Sequence, residues 1–302
     1  MAYHLVPAGT ADEQRRRLVR DSLGAYNRTV CPDMQSGEHP GHLDMYLLDK
    51  QGQVQGGLLG LIRWRWLQVD EMALAPHLRR QGSGSRMLRL AEAEARKRGC
   101  TRSVLDTASF QARPFYEKLG YRVIGELPNV LPGAGSYWLA KELPADQEER
   151  PGVVAPGYEL VVCDAVDEAR RKQVAEMLMA YNVTQNEAVR QAYESGHWGD
   201  PLDVYLLDEQ GDLAGGLLAG SHWHMLYLGD LWTADGVRGQ GWGRRMLELA
   251  EAEAHKRGCT QAQTHIHSFQ GPGFWRKLGY RNIGEIDDFP PGYALSWLTK
   301  DL

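Results

Sequence analysis

The sequence lacks any apolar run long enough to cross a bilayer as a helix, which takes about 20 residues, so no membrane insertion is expected. Its opening stretch, MAYHLVPAGTADEQRRR, has no apolar core of the kind a secretory signal needs, and a cytoplasmic location is expected. Basic residues are not in excess. The formal net charge is -5, and no basic stripe stands out, which argues against a dedicated nucleic-acid binder. Cysteine is scarce: Cys31, Cys100, Cys163 and Cys259 form no CxxC pair and no Cys/His spacing that would hold zinc. Neither a disulfide framework nor a metal site is expected, and the thiols read as packed side chains.

What the chain has is a repeat. Its 302 residues suffice for two ordinary domains, and a 43% apolar fraction supports packed cores. DMYLLDKQGQVQGGLLG, starting at Asp44, returns as DVYLLDEQGDLAGGLLA, starting at Asp203. RMLRLAEAEARKRGCT returns as RMLELAEAEAHKRGCT, and EKLGYRVIGE as RKLGYRNIGE. LGAYNRT and LMAYNVT also match, at a slightly different offset, so the loop after them has changed length. The period is domain-sized. We therefore expect a tandem duplication, with copies at 1–143 and 157–302 and an acidic, proline-bearing linker at 144–156.

Each copy predicts the same elements. A short strand opens it (3–6; 158–162), and a charged helix follows (12–26; 167–181). MYLLDKQGQVQGGLLGLI reads as a hairpin turning at 49–52, and 64–74 as the next strand. A helix over 82–98 has Met87, Leu88, Ala91 and Ala95 as its apolar stripe, with Glu92–Arg96 and Glu94–Arg98 as ion pairs on its wet side. Gly99 and Gly258 stop this helix in the two copies. A strand (102–107), a short helix (110–119) and two final strands (121–126; 137–141) complete the copy. The fold class is α/β, a mixed α+β arrangement made twice, each a central, mostly antiparallel sheet flanked by helices.

Between the strand and the long helix lies a bare loop, Arg79-Arg80-Gln81-Gly82-Ser83-Gly84, repeated as Arg238-Gly239-Gln240-Gly241-Trp242-Gly243. Glycines let a ligand approach the backbone, and the following helix start offers unpaired N–H groups and the positive end of its dipole. This suits a phosphate-bearing ligand. The dinucleotide fingerprint G-x-G-x-x-G fails, because Met87 and Met246 stand where the third glycine belongs, and no Gly-Lys-Ser/Thr loop occurs.

R-x-x-G-x-G after a strand, then a helix, then FYEKLGY about thirty residues on, resembles the GNAT superfamily of N-acetyltransferases. LDTASFQARPFYEKLGYRVIGE and LWTADGVRGQGWGRRML carry the resemblance most specifically, and it covers essentially both halves. It implies acetyl-CoA as co-substrate, with the pyrophosphate on the loop amides, from Arg79 through Ser85 and from Arg238 through Arg244. It also implies that Met72, Ala73 and Leu74, and Leu231, Trp232 and Thr233, pair with the pantetheine arm as a strand would. Ser109 and Ser268 stand where the family often has an asparagine that touches the cofactor. Tyr116 matches the tyrosine that in many members donates to the CoA sulfur; a core aromatic is its other reading.

Acetyl transfer to an amine needs a proton acceptor, stabilisation of the thioester oxygen and a donor at the departing sulfur. It needs no covalent intermediate, so the absence of a Ser/His/Asp or Cys/His pattern is expected. Glu71 and Asp230 hold equivalent places ahead of the loops. Each reads either as the base or as an ion-paired surface carboxylate. The second copy departs from the first. Trp275 replaces Tyr116, and QTHIHS replaces VLDTAS, so that His265 and His267 share a strand face as a replacement base or as polar lining. His222, Trp223 and His224 also stand where the first copy has Arg63, Trp64 and Arg65. The expectation is an N-acetyltransferase for a small-molecule amine, with conventional chemistry in the first copy. A CoA-binding sensor and a protein-lysine acetyltransferase are the alternatives. No nucleic-acid or membrane partner is expected, and oligomeric state stays open.

Overall fold

The computed structural model describes residues 2–34, 41–145 and 153–302. In chain order, the first repeat forms β1 (Tyr3–Ala8), α1 (Glu13–Val30), β2 (Gly41–His42), β3 (Asp44–Leu48), β4 (Val54–Arg63), β5 (Trp66–Leu74), α2 (Ser83–Lys97), β6 (Arg102–Ala108), α3 (Arg113–Lys118), β7 (Arg122–Leu131) and β8 (Ala134–Glu142). The second forms β9 (Glu159–Cys163), α4 (Glu168–Gln185), α5 (Glu187–Ser195), β10 (Asp200–Pro201), β11 (Asp203–Asp208), β12 (Leu213–His222), β13 (Met225–Thr233), α6 (Trp242–Lys256), β14 (Gln261–His267), α7 (Pro272–Lys277), β15 (Arg281–Ile286) and β16 (Leu295–Asp301). No helix among the described residues is long and apolar enough to cross a membrane.

The strands join one sheet in the order β1-β11-β12-β13-β14-β16-β15-β7-β8-β6-β5-β4-β3-β9. Pairing is antiparallel except for β5 with β6 and β13 with β14. The repeats meet at β7 and β15, where Gly125 faces Gly284. A Cβ on Gly125 would lie 2.8 Å from the Ile283 carbonyl oxygen, so only glycine permits this approach.

The outer strands are exchanged. β1 of the first repeat pairs with β11 of the second, with Leu5 opposite Leu206, while β9 pairs with β3, with Leu160 opposite Leu47. Each helix follows its strand. Asp12 and Asp167 cap α1 and α4 by accepting from the backbone N–H three residues on. α1 then packs on β12 and β13, and α4 on β4 and β5. Val19 and Val174 are the fully buried residues that key them to the sheet, each facing a strand glycine of the other repeat, Gly216 and Gly57. Two buried ion pairs fix the exchange. Arg16 binds both oxygens of Asp203 at 2.7 and 3.1 Å, and Arg171 binds both of Asp44 at 2.9 and 3.0 Å.

Several local expectations need correction. Trp64 and Arg65 do not begin a strand: both take positive φ, 45° and 73°, as the primed two-residue hairpin turn between β4 and β5 requires. Glu92 is not on the wet side of α2. It lies on the same face as Leu88 and Ala91, is fully buried, and meets Lys141 of β8 at 2.6 Å. Glu94 does pair with Arg98, at 3.2 Å. The short helix starts at Arg113 rather than at 110. Of the expected linker, 146–152 lie outside the described residues, and its end is anchored, with Val154 and Ala155 buried in the first core. The four cysteines are free thiols, three of them buried. Burial pushes the Cys100 thiol up to about 11.

Candidate active sites

Each half has a cleft where a parallel pair of strands comes apart. β5 and β6 are paired only as far as Val69 and Leu105, and β13 and β14 only as far as Tyr227 and Gln263. Beyond those points the inner edges of β5 and β13 are left unpaired. The opposite edge keeps its partner strand, but a register shift there skips Asp70 in one half and Gly229 and Asp230 in the other. The clefts measure about 900 Å3 in the first half and about 750 Å3 in the second.

The glycine loops close the wide end. Arg80 and Gly82 take φ of 61° and 80°, and Gly239 and Gly241 take 75° and 84°. These turns aim the chain into α2 and α6, whose N-termini carry no side-chain cap. Uncapped N–H groups at the positive end of a fifteen-residue helix are chemically suited to an anion. The leading arginines are structural clamps. Arg79 Nε donates to the Leu74 carbonyl at 2.8 Å, and Arg238 Nε to the Thr233 carbonyl at 3.1 Å.

Most sequence-predicted residues converge on these clefts. Met72, Ala73, Leu74, Arg79, Arg80, Gly82, Gly84, Ser85 and Tyr116 line the first. Asp230, Leu231, Trp232, Thr233, Arg238, Gly239, Gly241, Trp242, Gly243 and Arg244 line the second. Others do not reach the lining. Gln81 and Gln240 fold back onto the His77 and Gly236 carbonyls, and Ser83 is buried. Ser109 and Ser268 instead accept from the Gly135 and Ala294 N–H groups. Glu71 lies behind the first cleft, with its Oε2 buried and no hydrogen-bond partner among the described residues.

Sequence reasoning missed two groups. The first is Asp70 and Asp106, which both line the first cleft. Asp106 is the repeat equivalent of His265, so the same comparison that exposed the histidines points to it. Asp106 and His265 are surrounded by protein, yet their side chains remain open to solvent because they face a void. The second group comes from the exchanged helices. Tyr181 of α4 lies under Arg79 at 5.0 Å, and Tyr26 of α1 under Arg238 at 4.5 Å. Asn182 accepts from Gln111 at 2.9 Å, and Asn27 from Gln270 at 3.1 Å. The Ala-Tyr-Asn shared by LGAYNRT and LMAYNVT was the available signal. Each cleft is thus completed by the other repeat.

Burial sets the protonation states. It raises Asp106, with the Asp70 charge adding to the effect, and it raises Asp70 as well. Burial, then the Asp106 charge, pushes the Tyr116 phenol up to about 12, so it keeps its proton at neutral pH. In the second half, burial raises Asp230, opposed by Arg20 at 4.0 Å. Burial lowers His265 and His267, which keeps both imidazoles neutral at pH 7. His267 Nδ1 lies 2.9 Å from the Phe289 carbonyl.

An uncapped helix start beside an unpaired strand edge, with an acid–base group facing the same cleft, is equipment suited to an acyl-CoA-dependent acyltransferase. The comparisons with known proteins make this specific. The sequence model of the Acetyltransferase (GNAT) family matches residues 13–121 and again 171–280. The chain therefore belongs to the GNAT family, as a tandem N-acetyltransferase that uses acetyl-CoA. It is 42% identical over 106 residues to the blasticidin-S acetyltransferase of Streptomyces morookaense, covering 34% of this chain and 78% of that protein. It is 32% identical over 138 residues to acetyltransferase Atu2258 of Agrobacterium fabrum, covering 46% of this chain and 98% of that one. Among solved structures, an acetyltransferase from Bacillus cereus aligns at 24% identity over 46% of this chain and 96% of its own, with a TM-score of 0.41.

Proposed function

We propose that the protein acetylates a primary amine of a small molecule by direct attack, with an acetyl-CoA site in each half. The observation that carries this reading is the doubled cleft, each pairing an uncapped helix start with an unpaired strand edge. The space fits the co-substrate. At Gly84 a Cβ would already stand 3.3 Å from Met72 and 3.5 Å from Phe115, so the bare backbone keeps the passage to the helix start open. The loop amides at 82–85 and 241–244 would hold the pyrophosphate, and the 72–74 and 231–233 backbone would hold the pantetheine arm. The Streptomyces relative, which by its name acts on an antibiotic, supports a small-molecule acceptor.

Acetyl-CoA supplies the thioester: nitrogen bonds to the acyl carbon as the carbon–sulfur bond breaks, one proton leaving nitrogen and one arriving on sulfur. In the first half, Asp106, with Asp70 beside it, takes the proton from the amine. Glu71 adds a negative charge behind them. Tyr116, protonated and next to Asp106, donates at the sulfur. In the second half, neutral His265, with Asp230 near it, takes the proton; Trp275 in the tyrosine's place has no acidic proton to give, so the proton that arrives on sulfur comes from solvent.

Calorimetry with CoA should count two equivalents per chain, and a panel of amines should release thiol from acetyl-CoA. No CoA binding, or binding with no thiol release from any amine, would overturn the assignment.

A further inference from the structure

One cavity belongs to neither cleft. It lies against the seam between the repeats and encloses about 400 Å3. That is within the range of small-molecule pockets, about 300–1,000 Å3. Its walls are aromatic. Trp138 and Trp297 stack across the seam at 5.4 Å and 30°, and Trp64 stands edge-on to Phe289 at 4.7 Å. Asp106 borders both this cavity and the first cleft, while His265 and His267 border both this cavity and the second. The two clefts therefore adjoin one space between them. Asp106 and His265 hold the same position in the repeat, just past the point where parallel pairing ends.

Resting on the reading of both clefts as acetyl-CoA sites, we propose that the two sites serve a single acceptor chamber at the seam, and that the chamber takes a flat aromatic primary amine. The indole faces stack with a ring, and a cation beside them gains from their negative faces. Asp106 draws the amine toward the first thioester, and the neutral imidazoles of His265 and His267 accept from it when it turns toward the second. Arg63 also faces the chamber, with its Nε buried and without a hydrogen-bond partner among the described residues. An aliphatic amine of equal charge would leave the aromatic walls unused.

Calorimetry with tryptamine as probe and n-hexylamine as control tests this. CoA stoichiometry is measured on the same samples. Two CoA per chain upholds the reading of the clefts, whatever the amine does. We expect one tryptamine per chain, and hexylamine binding weaker by about tenfold or more, the scale of one good aromatic contact. Trp64→Ala should weaken tryptamine by about tenfold while CoA stays at two and hexylamine is unmoved. If that variant does not fold, Asp106→Asn carries the test and should weaken tryptamine with CoA still at two. Two tryptamines per chain with two CoA bound, equal affinity for hexylamine, or affinity indifferent to the folded variants would each overturn the shared aromatic chamber. Loss of CoA binding in the unaltered protein would instead overturn the cleft reading beneath it.

Discussion

Removing Arg16 should damage the half of the molecule to which it does not belong in sequence. Arg16 is in the first repeat, but its guanidinium makes two parallel bonds to Asp203 of the second, a carboxylate with no exposed surface. Arg16→Leu would leave that charge buried and unpaired. Breaking such a pair costs about 3–5 kcal/mol. Asp203 also accepts from the Tyr205 hydroxyl at 2.8 Å and the Ala219 N–H at 3.1 Å, which puts the loss near the lower end. For a unit of this size each kcal/mol lowers the melting temperature by about 2–4 °C, so the expected drop is roughly 6–12 °C. Amide exchange should report lost protection in β11, β12 and β13, not in β3, β4 and β5. A double-mutant cycle then discriminates. Arg16→Leu should couple strongly with Asp203→Asn and add independently to Asp44→Asn. Coupling to Asp44 instead would mean that each helix packs on its own repeat, and the exchanged architecture would be wrong.

Gly216→Ala should cost about 1–3 kcal/mol by driving a methyl into Val19 Cγ2, and Val19→Ala in the other repeat should recover part of it in thermal melts; a loss unaffected by Val19 would refute the contact. Gly84→Glu should reduce CoA from two equivalents to one in calorimetry, because a carboxylate would project where phosphate is to sit; two remaining equivalents would contradict the site. In a Gly243→Glu background, Tyr116→Phe should lower kcat by about 10²-fold or more with CoA affinity unchanged, and a silent substitution would remove the phenol from the chemistry. The same background should show kcat/KM falling on acidification at a pH above the ordinary carboxylate value of about 4, since burial raises Asp106 and the base works only when deprotonated. With Gly84→Glu instead, the acid limb should lie below about 6.5, since burial lowers His265; a first-half limb below about 4, or a second-half limb above about 6.5, would refute the assignment of bases.

The parts of this molecule set by local chemistry could be read from its sequence. The repeat, the hairpin turning at 49–52, the Met87–Leu88–Ala91–Ala95 stripe and the glycine turn that leads into an uncapped helix all follow from periodicity, glycine and helix-end physics. The exchange could not be read. β1 and β9 are alike, and so are their partners β11 and β3, so Leu5 against Leu206 and Leu5 against Leu47 are equivalent pairings by pattern alone. Asp106 was overlooked for a different reason. Repeat comparison sets it opposite His265, but the parting of β5 and β6 after Val69 and Leu105, which opens a cleft beside it, is not written in any local pattern. Glu71 and Asp230 show the limit of repeat equivalence: Arg20 of α1 lies near Asp230, whereas Ala175 holds that helical position on α4 behind Glu71.

The exchanged first strand also imposes an order on synthesis. β1 emerges from the ribosome early, yet its partner at Asp203–Asp208 follows only after about two hundred more residues, a wait of roughly 10–40 s at ordinary elongation rates. During that interval β3 of its own repeat is already available, and it offers the same apolar alternation. A nascent chain that closes β1 onto β3 must release it before β9 can take that edge. Slowing translation between the two repeats should therefore raise the share of chains held in the self-closed form, and speeding it should lower that share.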